Sequence, residues 1–80
     1  MIITTPSLSV RITDGQAHNI RRMAAVGEVR VTRAEFKSLS AKGIATMNPG
    51  HVSGGMCVAY LTPFGRAVAD VLATSPAQRR

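Results

Sequence analysis

Residues 31–45, VTRAEFKSLSAKGIA, contain a helix with both of its ends encoded. Thr32 and Glu35 stand at capping-box spacing, in which the threonine hydroxyl accepts from the Glu35 amide and the Glu35 carboxylate accepts from the Thr32 amide. Val31 and Phe36 occupy the two positions of a hydrophobic staple, which sets the angle at which the chain enters the helix. Gly43 stands where a left-handed residue ends it. On a helical wheel Phe36 and Leu39 mark the buried side, with Ile44 following past the cap. Arg33, Ala34, Lys37, Ser38, Ala41 and Lys42 fall on the opposite side, toward solvent.

Upstream, GEVRV (27–31) alternates Val29 and Val31 with Glu28 and Arg30 and reads as a very short strand. Before it a second capping box, Thr13 with Gln16, opens a helix in which Ala17, Ile20, Met23 and Ala24 recur at helical spacing and Gly27 stands at the stop. Arg21 and Arg22 fall in its last turns, against the negative end of the helix dipole. Further back, Leu8, Val10 and Ile12 alternate with Ser9 and Arg11, a half-buried strand whose start Pro6 delays.

Downstream, Ile44 to Asn48 reads as a strand, PGHVSGG (49–55) as a glycine-rich tip bearing His51, and Met56 to Leu61 as the returning strand of a hairpin. Cys57, Ala59 and Leu61 share one face of that strand and Met56, Val58 and Tyr60 the other. Leu61 adjoins the next helix, so its face is the better candidate for burial. In YLTPFGRAVADVL (60–72), Thr62 is an N-cap and Pro63 takes the first helical position, where its missing N–H costs nothing. Phe64, Ala67, Val68, Val71 and Leu72 then form an apolar stripe. SPAQRR (75–80) follows the last periodicity and reads as a tail. The expectation is one α+β domain over 1–80, with its core over about 8–74.

The order helix, short strand, helix, hairpin, helix, together with VTRAEFKSLSAKGIA and YLTPFGRAVADVL, resembles the winged helix-turn-helix domains of small bacterial and phage regulators. The likeness covers about residues 12–73. It implies that the helix ending in KGI is the recognition helix, that the hairpin is the wing, and that LTPFGR opens the helix closing the domain. Carried over by position, Arg33, Ala34, Lys37, Ser38 and Ala41 face the major groove, and His51 with its glycine neighbours forms the wing tip. One departure stands out: only GEVRV separates the first helix from the second, where a full winged domain has another helix. The expected fold is a shortened, winged-helix-like one with three helices and a β-hairpin wing.

Ten Lys and Arg against four Asp and Glu leave a net charge of +6 and a pI near 11.2, which favours polyanionic partners. Arg33, Lys37 and Lys42 flank small side chains, so a helix can approach a groove closely while its long cations reach phosphates. Arg30, Arg21 and Arg22 extend the basic area as phosphate contacts without base information. The expected partner is duplex DNA, and the expected role a transcriptional regulator or accessory factor. The alternative on the same scaffold is a protein-binding inhibitor from a phage or mobile element, acting on a host nucleic-acid machine such as a CRISPR effector through an acidic surface. Aromatics are only 4% of the chain, and a core so modest motivates a homodimer through the last helix or the N-terminal strand.

No catalytic group, cofactor or metal is expected. The four acids are scattered, and Glu35 has a capping role. Cys57 lies in an apolar strand with neither His18 nor His51 as a sequence neighbour. One cysteine and two histidines make no zinc spacing, and the glycines match no phosphate-binding loop. A single cysteine without an internal partner fits a reducing cytoplasm, and no stretch approaches the roughly 20 apolar residues of a membrane span.

Overall fold

The computed structural model of the chain describes residues 1–53 and 55–74, with the side chains of 48–53 outside that description. In chain order the elements are β1 (Ile2–Thr4), β2 (Ser9–Arg11), α1 (Asp14–Val26), β3 (Glu28–Thr32), α2 (Arg33–Ala41), β4 (Ala45–Ser53), β5 (Met56–Leu61) and α3 (Pro63–Thr74). The fold is α+β. Its three-stranded antiparallel sheet has the order β3-β5-β4, with the returning strand of the hairpin in the middle, an arrangement compatible with a winged helix.

Both capping boxes form. Thr13 Oγ1 accepts from the Gln16 amide at 3.1 Å while Gln16 Oε1 accepts from the Thr13 amide at 2.8 Å. Thr32 Oγ1 accepts from the Glu35 amide at 3.1 Å and Glu35 Oε1 from the Thr32 amide at 2.9 Å. Thr32 is also the last residue of β3, paired with Met56, so strand passes into helix without a loop. At the other end of α2 the chain turns through Gly43, whose φ of +73° a residue with a Cβ adopts only at a cost.

Alternation along β3 and β5 divides the sheet into two faces. Val29, Val31, Cys57, Ala59 and Leu61 are buried with Ala45 on the face that the helices cover. Glu28, Arg30 and Tyr60 are exposed on the other, beside half-buried Met56 and Val58. The core beneath the helices is aliphatic, built on fully buried Ile12, Ile20, Met23, Leu39, Ile44, Val68 and Leu72.

Three features differ from the sequence expectation. Residues 2–4 form β1, pairing Ile3 with Val10 and placing Ile3, 4% exposed, in the core, so the packed region starts before residue 8. A three-residue strand with Pro6 just beyond it carries too short a pattern to be legible, and only its partner β2 makes it a strand. The segment expected as a glycine-rich tip is largely strand: β4 runs to Ser53, with a register shift between Met47 and Val52. Val52 and Ser53 pair with Cys57 and Met56 of β5, and Pro49, which has no N–H to give, falls within the shift.

The third difference is the face of α3. Gly65, Val68, Ala69 and Leu72 are buried, while Phe64, Ala67 and Val71 are only half-buried. The helix is turned by its first residues. The Thr62 amide donates to the Ile44 carbonyl at 2.9 Å, and Thr62 Oγ1 donates to the Gly43 carbonyl at 2.5 Å while accepting from the Gly65 amide at 3.0 Å. This draws Gly65 so close to β4 that a Cβ on it would lie 2.0 Å from the Ile44 carbonyl oxygen. The apolar stripe is thus used largely within the chain, against α1, β1 and β5.

Gly65→Ala is expected to lower stability by about 3 kcal/mol or more, the upper end of overpacking costs, because backbone and not a flexible side chain must move. Gly15→Ala, whose Cβ would meet only Thr13 Oγ1 at 3.9 Å, is expected to be neutral or to stabilise by up to about 1 kcal/mol. Urea denaturation of the two variants checks the contrast.

Candidate nucleic-acid interface

The position of α2 is set by its inner side. Leu39 is buried and Phe36 half-buried against the sheet, while the flank toward α1 is polar. Gln16, 9% exposed, spans that flank: its Nε2 donates to Ser38 Oγ, and its Oε1 accepts from Lys42 Nζ at 3.1 Å as well as from the Thr13 amide. Lys42 Nζ donates in addition to the Arg11 carbonyl at 2.5 Å. One turn along α1, Asn19, 5% exposed, donates to Glu35 Oε2 at 3.4 Å and accepts from Arg22 at 3.4 Å. Among the described residues no buried side-chain polar atom lacks a partner.

This network divides the candidate residues. Arg33, Ala34, Lys37 and Ala41 are exposed on the outer side of α2, and neither the Arg33 nor the Lys37 side chain has an ion-pair or hydrogen-bond partner among the described residues. Ser38 and Lys42 are half-buried and engaged with Gln16, so they hold the helix in place instead of lining its outer side. The wheel placed them outward because it has no knowledge of where α1 lies. Ser40 is exposed, and at 100° per residue it falls beside Arg33 and Lys37, a place sequence reasoning did not assign to it.

The arginines outside α2 scatter. Arg22 lies on the α2 side of α1 through its bond to Asn19, whereas Arg21 is a further 100° round the helix. Arg30 stands on the open face of the sheet, away from the face α2 covers. The structure therefore sets Arg33 and Lys37 side by side on α2, leaves Arg22 beyond Asn19 and Glu35 on the α1 flank, and separates Arg21 and Arg30 from both. His51 belongs to β4, with its side chain outside the described residues.

Glu35 is the one acid beside this surface, and its capping bonds occupy it. The hydrogen bond from the Thr32 amide holds the carboxyl below its ordinary range, and the Thr32 hydroxyl, Asn19 and the nearby Arg22 charge act in the same direction. Between α2 and the hairpin lies a feature the sequence did not reveal, a groove of about 280 Å³ lined by Arg33, Phe36, Lys37, Met47 and Cys57. No His, Cys, Asp or Glu side chains gather in threes as a metal site would need, among the described residues. No described helix is long and apolar enough to cross a membrane.

Comparison with protein-family models, curated proteins and solved structures finds no match for this chain.

Two variants test how α2 is held. Gln16→Ala removes the acceptor for the Thr13 amide and the partner of Ser38 and Lys42, and is expected to cost about 2 kcal/mol, since partially buried groups lose their bonds. Glu35→Gln probes the cap by pH. Because folding depresses the Glu35 pKa, its contribution is present above the unfolded-state value and is lost as pH falls through the folded one. Glu35→Gln is thus less stable than wild type at neutral pH, and the gap in urea midpoint closes on acidification; a gap independent of pH refutes the assignment.

Proposed function

We propose that this chain is a small winged-helix-like DNA-binding protein that lays the outer side of α2 against duplex DNA, acting as a transcriptional regulator or accessory factor. The observation that carries this reading is the pair Arg33 and Lys37, one helical turn apart, exposed and unpaired among the described residues, with small Ala34, Ser40 and Ala41 beside them. Small side chains let a helix approach a groove, and the two cations reach the phosphates that border it.

The size of α2 sets what such a contact can do. Nine residues span about 13 Å, enough for a few phosphates and little base reading. Binding on this account is mainly electrostatic, with the net charge of +6 steering approach. The protein-inhibitor alternative uses the same cations against an acidic protein surface, but no structural feature favours it.

The test is duplex binding as a function of salt. Each phosphate neutralised contributes a slope of about 0.9 in log K against log salt, so Arg33→Ala and Lys37→Ala are each expected to reduce the wild-type slope by about that amount. Arg21→Ala, on the other flank of α1, leaves it unchanged. An affinity indifferent to salt, or a slope that neither α2 variant alters, overturns the proposal.

A further inference from the structure

The groove between α2 and the hairpin differs in chemistry from a surface made only for duplex phosphates. Its apolar lining is the half-buried Phe36 ring, the half-buried Met47 thioether and buried Cys57, and among the described residues the charged groups on it are Arg33 and Lys37. Among the described residues no acidic side chain lines it, and neither cationic side chain has a partner. A run of duplex phosphates would engage the two cations and leave the apolar lining in water. A ligand that satisfies the whole groove is anionic at its ends and has a flat, polarisable middle.

A nucleotide whose base is out of the stack has that form. The geometry points to this groove as a pocket for one unpaired base, its faces against Phe36 and Met47, with its flanking phosphates held by Arg33 and Lys37. The cations are four residues apart, about 6 Å between Cβ atoms, and can clasp the backbone on either side of a single base. Aromatic and sulfur groups bind a base through its π-face, and Phe36, Met47 and Cys57 offer no strong hydrogen-bond donor to read its edge, so the pocket tolerates any base. Extracting a base from an intact duplex costs unstacking and unpairing, whereas a base already unpaired costs little. This inference rests on the reading of α2 as a nucleic-acid surface, and it narrows the preferred substrate to duplex DNA interrupted by an unpaired nucleotide.

The test compares a short intact duplex, the same duplex with a single unpaired thymine, and the same bulge made abasic. The bulged duplex is expected to bind about tenfold tighter than the intact one, and the abasic bulge to lose that advantage, in keeping with the contribution of one base stacked on an aromatic ring. With 5-iodouracil as the unpaired base, photo-crosslinking of the wild-type protein is expected on Phe36, Met47 or Cys57, a readout independent of how well a Phe36→Leu variant folds. Equal binding to all three DNAs, or crosslinks elsewhere, overturns the pocket and leaves the duplex reading standing. Failure to bind any of them overturns both.

Discussion

The outward presentation of α2 depends on one amide side chain. Gln16 caps α1 with its oxygen, accepts from Lys42 with the same atom, and donates to Ser38 with its nitrogen. A largely buried amide that finds all of these partners stabilises a single arrangement, because any rotation or sliding of α2 would leave polar groups dry and unpaired. Asn19 repeats the device one turn on, linking Glu35 and Arg22. Here the strand β3 runs directly into α2, and polar side chains of α1 supply the restraint.

A second constraint closes the C-terminal end of α2. Thr62 binds the carbonyls of Gly43 and Ile44, and Gly65 presses against the latter, so the end of α2, the start of β4 and the start of α3 meet at one place. Ile44 is fully buried at this crossing. With few aromatic residues, the core gains its volume from aliphatic side chains brought close together, and a glycine at the crossing is what allows that closeness. The N-terminal ribbon adds Ile3 to the same core.

These restraints give α2 two unlike sides. Its inner flank is hydrogen-bonded, and its outer side carries two cations whose side chains have no partner among the described residues, on a background of small residues. Glu35 serves both: its carboxylate is taken up by the cap and by Asn19, so the acid nearest to the cationic side already has its acceptors occupied. Hydrogen-bonded placement and charge are thereby combined on a helix of nine residues.

Everything local was legible from the chain. The caps at Thr13, Thr32 and Thr62, the alternation of Val29 with Val31, the buried face of Cys57, Ala59 and Leu61, and the exposure of Arg33 and Lys37 follow from spacing alone, since hydrogen bonds three residues apart and the period of a strand need no knowledge of distant chain. Tertiary structure alone decided that residues 2–4 are a strand, that 49–53 join β4, that α3 turns on Gly65, and that Ser38 and Lys42 face α1. It alone also brought Met47 and Cys57 beside Phe36. Each of these depends on what a segment meets outside itself, and such a partner leaves no periodic mark on the sequence that it will pair with.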